Sequence, residues 1–213
     1  MKRRAIVGAF LIVGLWILTD LYVPRQVNLR VFDPIELARL DGEMWRSYYE
    51  KKPLKLFWQS AKLMREQVHA PFWRSFVMSY HAAKAAFLFK DGKNRADYKQ
   101  ALPNLEQYYG LVNELSDRPF DVKTTAQQEL EWWIIRRERT QHPPAEWADL
   151  QAKVAAQLYQ KPAQQFGEFA RLRTEAMLYR DKKNEKITEK DWQKIRTVLD
   201  SSWIALHNTL TMQ

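Results

Sequence analysis

The stretch that constrains this chain most is Ala5 to Val23, AIVGAFLIVGLWILTDLYV, directly behind Lys2-Arg3-Arg4. From Ala5 to Leu18 it carries no charged side chain, so a helix wound on it is apolar all the way round. A hydrocarbon core about 30 Å thick calls for about 20 such residues at 1.5 Å of rise each. Trp16 and Tyr22 suit a membrane interface, and Asp20 lies near enough to the far end for its carboxylate to reach headgroup water. Pro24 has no amide hydrogen and stops the helix. The expectation is a single N-terminal transmembrane helix, an uncleaved signal-anchor over residues 1–24.

Two other readings compete. A cleaved signal peptide also opens with basic residues and a short apolar run, but it ends on small residues, and Thr-Asp-Leu-Tyr-Val-Pro offers no A-x-A site. A buried core helix of a soluble protein keeps a polar stripe, and this run has none. Lys2, Arg3, Arg4 and the amino terminus crowd one flank, whereas Arg25, Arg30 and Arg39 are spread thinly along the other. The excess of basic residues places the N-terminus in the cytoplasm and the rest outside, in the periplasm if the source is bacterial.

Everything after Pro24 has the texture of a water-soluble helical domain. Helix formers dominate, the 6 glycines are few, and 9 tryptophans indicate a packed core rather than disorder. With no cysteine, disulfides, thiolate zinc sites, iron–sulfur clusters and cysteine nucleophiles are all excluded. The net charge is +9, of which Lys2, Arg3 and Arg4 supply three. The remaining excess is spread along every helix, which speaks against nucleic acid and leaves anionic lipid headgroups as the natural basic-surface partner.

Residues 25–32 alternate without helical periodicity and are expected to form an extended linker, leaving 33–213 as an all-helical domain. Asp33-Pro34 marks a helix start, as do Asn94, Asp121 and the Thr188/Asp191 pair, a variant capping box. Pro71 starts a helix whose spaced residues are Phe72, Phe76, Tyr80, Ala83 and Phe87. Pro103 kinks or splits the segment from Arg95 to Leu115. Pro144 and Pro162 open two more helices, and a last one carries Trp192, Ile195, Leu199, Trp203 and Leu206 at helical spacing. The fold class is therefore all-α, with one transmembrane helix followed by a multi-helix soluble bundle or irregular helical stack of roughly eight helices. No regular repeat aligns.

Three charged constellations are candidates for a ligand or partner site. Glu43 and Arg46 stand three apart on one helix and can pair locally. Glu131, Arg136 and Arg137 surround two tryptophans in the stretch Glu129 to Arg139, and the guanidinium groups can meet an anion or acidic partner. Arg171 and Glu175 stand four apart and could extend an interior ion network to Glu131 or Arg137. With His81 these residues form a possible polar pocket: Glu43, Arg46, His81, Glu131, Arg136, Arg137, Arg171 and Glu175. Each also has an ordinary structural explanation as a surface pair, a basic helix end or a hydrogen-bonded core histidine.

No metal site is expected. Only His69 has a glutamate three residues before it, where a di-iron bundle needs two such motifs. No cofactor motif is present either, since Walker loops, nucleotide fingerprints and nucleophile elbows need glycine patterns absent here. The expected function is a membrane-anchored, non-enzymatic helical domain that binds or organises partner proteins at the membrane surface. The alternative is a ligand-binding or enzymatic domain with a polar Glu/His/Arg pocket. Whether those side chains converge in one concavity decides between the two.

Overall fold

The computed structural model describes residues 2–212, with side chains from Ile6 onward; the side chains of the basic flank Lys2, Arg3 and Arg4, and of Ala5, lie outside the described residues. Within them the chain is all-α. In order the helices are α1 (Lys2–Tyr22), α2 (Pro34–Tyr49), α3 (Pro53–Gln67), α4 (Phe72–Asp91), α5 (Arg95–Tyr98), α6 (Leu102–Leu115), α7 (Val122–Arg137), α8 (Pro144–Tyr159), α9 (Gly167–Lys183) and α10 (Glu189–Thr211).

The local signals act as their chemistry requires. The Asp33 carboxylate accepts from the amides of Ile35 and Glu36, with Pro34 at the first helical position. Asn94 caps α5 through the amides of Ala96 and Asp97, and Asp121 caps α7 through Thr124. Thr188 and Asp191 form the reciprocal capping box of α10. Around Pro103 the chain divides into the short α5, a 3-10 turn over Lys99–Ala101, and α6.

The long helices follow a closed circuit. Each of α2, α3, α4, α6, α7, α8, α9 and α10 packs on the next, and α10 returns to pack on α2. The ring is held by apolar side chains wholly out of water, among them Leu37, Leu40, Met78, Leu115, Trp147, Phe166, Leu199 and Leu206. Burying each large side chain is worth about 1.5–3 kcal/mol. Such a ring has a middle, and the candidate site lies there.

Several expectations change on contact with the fold. Residues 25–32 are not a free linker: the Val27 amide donates to Leu115 O at 2.7 Å, the Asp117 amide donates to Val27 O at 2.9 Å, and Leu29 and Phe32 are buried. Arg30 donates to the carbonyls of Tyr159 and Gln160, which end α8. Asp20 does not face headgroup water. It is buried and accepts from the Trp73 amide, capping α4 from a neighbouring helix.

Helix α4 is turned the opposite way from its apolar spacing. Its buried residues are Arg74, Ser75, Met78, Ser79 and Ala85, while Phe72, Tyr80 and Phe87 are exposed. The small side lets α4 pack closely on α3 and α6.

Helix α1 stands apart from the ring except at its C-terminal end, where Trp16 meets Phe72 and Trp73 of α4. Arg74 there donates to the carbonyls of Leu21 and Val23. Phe10, Leu11, Ile12 and Leu15 are exposed on every side of it. Among the described residues no helix is long and apolar enough to cross a membrane. The transmembrane span expected over residues 1–24 is therefore not supported by the described residues, although α1 is a helix over most of that stretch.

Candidate functional site

A cleft of about 540 Å³ opens between α2, α3, α4, α7 and α9. Aromatic rings wall it: Trp45, Tyr48 and Tyr49 from α2, Phe89 from α4, and Trp132 and Trp133 from α7. Behind it lies a chamber of about 190 Å³ reached by α6, α8 and α10 as well, and lined by Met64, Val112, Val154 and Leu158. Asp41, Leu63, Glu129, Trp132 and Arg173 line both spaces and form the wall between them. The two together occupy the middle of the helical ring.

Charge in this wall is built with care. Arg173 pairs with both oxygens of the Asp41 carboxylate, and Trp203 donates to the same carboxylate through Nε1 at 3.0 Å. Asp41 is 4% exposed, so its charge depends on these partners. Glu129 accepts from the Tyr109 hydroxyl at 3.0 Å and from Trp133 Nε1 at 2.9 Å. Enclosure away from bulk water pushes its carboxyl pKa up, and the hydrogen bonds and the Arg173 charge only partly oppose that. Burial likewise pushes the Tyr159 phenol of the inner chamber up to about 12, which keeps it protonated and able to donate.

At the mouth the balance is positive. Lys90, Arg136, Arg137 and Arg139 line the outer cleft, outside the wall in which Arg173 is paired with Asp41 beside Glu129. Asp181, just outside, meets Arg136 at 3.2 Å and Arg139 at 3.9 Å. Two buried polar atoms on these walls have no hydrogen-bond partner in the protein: Nε of Arg136 in the outer cleft and Oε1 of Gln151 in the inner chamber. The Gln151 amide nitrogen is already spent on Thr174 at 3.0 Å and on Trp147 O at 3.1 Å. Buried orphans of this kind are uncommon and mark places where a ligand group can bond.

Of the residues singled out in the sequence, Arg136 and Arg137 line this cleft and the other six do not. The Glu43–Arg46 pair does not form: Glu43 binds Arg39, and Arg46 binds Glu50 at 2.6 Å and Glu189 at 3.0 Å. His81 faces Asn104 at 3.4 Å on the flank of α4. Glu131 meets Arg95 at 3.0 Å. Arg171 and Glu175 do pair, at 3.2 Å, but with Glu168 they lie in solvent and reach neither Glu131 nor Arg137. The eight side chains therefore do not converge in one concavity.

Arg137 has a structural role besides lining the cleft. It donates to the carbonyls of Phe89, Lys90 and Gly92 at the end of α4, at 3.1–3.2 Å, and lies 4.5 Å from the Phe89 ring centre. The residues that build the wall, Asp41, Glu129 and Arg173, were not selected from the sequence as a group. Asp41 and Arg173 are 132 positions apart, so no local spacing announces their pair; Glu129 has a helix-spaced partner in Trp133, but its link to Tyr109, 20 positions back, and to this pair is set by the fold.

Among the described residues no group of three His, Asp or Glu side chains is placed to hold a metal ion. No protein-family model matches the chain, and neither a curated protein nor a solved structure matches it.

Proposed function

We propose that this chain is a membrane-tethered binding domain whose central cleft takes an anionic amphiphile: a phosphate or carboxylate head at the cationic mouth and an apolar part in the ring. The observation that carries the reading is the composition of the cleft, with aromatic walls and a cationic excess outside and, behind it, a chamber lined mainly by apolar and aromatic side chains with a few polar groups. Arginine forks bind phosphate and carboxylate oxygens in pairs, and aromatic faces take up flat or chain-like apolar groups. The unpaired Arg136 Nε and Gln151 Oε1 supply a free donor near the mouth and a free acceptor deep inside.

The tether is α1, supported by its apolar side chains exposed on all sides, by the sequence continuing back through Ala5 to Lys2-Arg3-Arg4, and by the absence of a small-residue cleavage pattern. The cationic flank favours an N-terminus in the cytoplasm and the ring on the opposite side. Organisation of partner proteins, the function expected from the sequence, becomes the second reading, favoured by the exposed aromatic residues of α3 and α4.

The test is a fluorescence titration. Trp45, Trp132 and Trp133 line the cleft and report its occupancy. The full chain in nanodiscs is titrated with a short-chain anionic lysophospholipid below its micelle threshold, and with a zwitterionic one of equal chain length. Saturable quenching that favours the anionic ligand by about tenfold is expected, the size of one charge-assisted hydrogen bond. Equal responses to both ligands contradict the proposal.

A further inference from the structure

We propose that the outward face of α4, with the first half of α3, is seated in the headgroup layer of an anionic bilayer, so that the ring lies against the membrane rather than swinging free below it. The proposal rests on α1 being the anchor and adds a second, independent contact with lipid.

Depth is the first argument. Trp16 is six residues, about one and two-thirds turns, before Tyr22, so it sits about 9 Å up the helix axis from the end of α1. Phe72 stacks on that ring at 5.7 Å between centres and Trp73 meets it edge-on at 5.5 Å. Whatever layer holds Trp16 also holds the first turn of α4. The joint is firm, because Asp20 accepts from the Trp73 amide and Arg74 donates to the last carbonyls of α1.

Continuity is the second. From Trp16 the rings run unbroken through Phe72 and Phe76 to Trp58 of α3, with Phe72–Phe76 at 5.1 Å and Trp58–Phe76 at 4.9 Å. Beyond them Leu54 is 79% exposed, Trp58 59% and Phe87 56%. A helix that buries serine and shows phenylalanine fits a surface with an apolar layer against it.

Charge is the third. Between Phe72 and Lys90 the sequence has no acidic residue, and the cations Arg65 and Lys84 flank the rings. Arg65 lies 5.5 Å from the Phe72 centre, and Lys84 lies 5.7 Å from that of Tyr80. Aromatic rings bordered by lysine and arginine match the interface of an anionic leaflet.

The chain has no cysteine, which makes site-directed spin labelling direct. Leu54→Cys, Trp58→Cys and Phe87→Cys, each in the full chain, carry a nitroxide in vesicles of phosphatidylglycerol and phosphatidylcholine. Leu11→Cys in α1 and Leu178→Cys in α9 serve as references, and all five positions are exposed, so the fold is kept. Collisions with oxygen, which partitions into lipid, are compared with those of a water-soluble nickel chelate. Labels at 54, 58 and 87 are expected to favour oxygen and the label at 178 to favour nickel, with the first three shifting toward nickel in phosphatidylcholine alone. Nickel accessibility at 54, 58 and 87 with Leu11 in lipid overturns this inference and leaves the anchor standing. Nickel accessibility at Leu11 overturns the anchor itself. Spin–spin broadening at 54 or 87 assigns the face to a second copy of the chain and also overturns the inference.

Discussion

At the residue scale the centre of the ring is governed by two carboxylates in opposite situations. Asp41 is enclosed but satisfied by Arg173 and Trp203, so its removal strands a partly buried guanidinium. Asp41→Asn should therefore cost about 3 kcal/mol in chemical denaturation, whereas a surface ion pair such as Lys153–Asp149 would cost under about 1 kcal/mol. Glu129 is enclosed with its pKa pushed up. At low pH it is protonated in both the folded and unfolded chain. As pH climbs past the ordinary carboxylate value, the unfolded chain releases its proton first, and stability falls until the folded group titrates as well. Glu129→Gln removes that loss: its single amide oxygen still accepts from Trp133 Nε1, and its NH2 donates to the Tyr109 hydroxyl, which turns from donor to acceptor. Its melting temperature should exceed the parent's by a margin that widens from pH 4 to pH 8; a margin independent of pH would contradict this. These roles were hidden in the sequence. Spacing rules find pairs such as Arg171–Glu175, which solvate themselves on an outer face. Arg173 is two residues on, about 200° round the helix, and its partner comes from another helix altogether.

At the scale of elements the sequence was most legible where chemistry is local. Caps at Asp33, Asn94, Asp121 and Thr188 bond only within their own turn, so residue type and position suffice to place them. Thr188→Ala should lower stability by about 1 kcal/mol by denaturant titration, the usual cost of losing such a cap. In the same box Tyr179, Lys183 and Thr188 hold the Asp191 carboxyl well below its usual range. Its stabilisation is thus present at neutral pH and disappears as the pH falls below the ordinary carboxylate values, so the Thr188→Ala deficit should shrink in acid. Legibility failed where the environment decides orientation. The spacing of Phe72, Phe76, Tyr80 and Phe87 defines a stripe on α4 but not which way it points. The ring chose the small side, because Ser75, Ser79 and Ala85 allow close approach to α3 and α6. The segment 25–32 misled for a related reason: a strandless extended run has no period to reveal that Leu29 and Phe32 are packed inside.

On the scale of the whole molecule, the sequence dictated helices but not their circuit. Short proline-marked connections make each helix a neighbour of the next, while the return of α10 to α2 depends on contacts such as Trp203 with Asp41, 162 positions apart. That closure creates the central space, and the central space is where aromatic, cationic and apolar walls meet. If the space is a binding site for an anionic amphiphile, the exposed mouth cations held most loosely by the protein should decide its selectivity; Arg139 has only a long contact to Asp181, at 3.9 Å. Lys90 and Arg139 are exposed and line the cleft. The most direct measurement is therefore the ratio of affinities for anionic and zwitterionic lysophospholipid in the parent chain and in the Lys90→Gln/Arg139→Gln variant, with circular dichroism matched between them. The account predicts that the anionic preference falls from about tenfold towards parity while zwitterionic affinity stays the same. An unchanged ratio, or equal loss for both ligands, would contradict it.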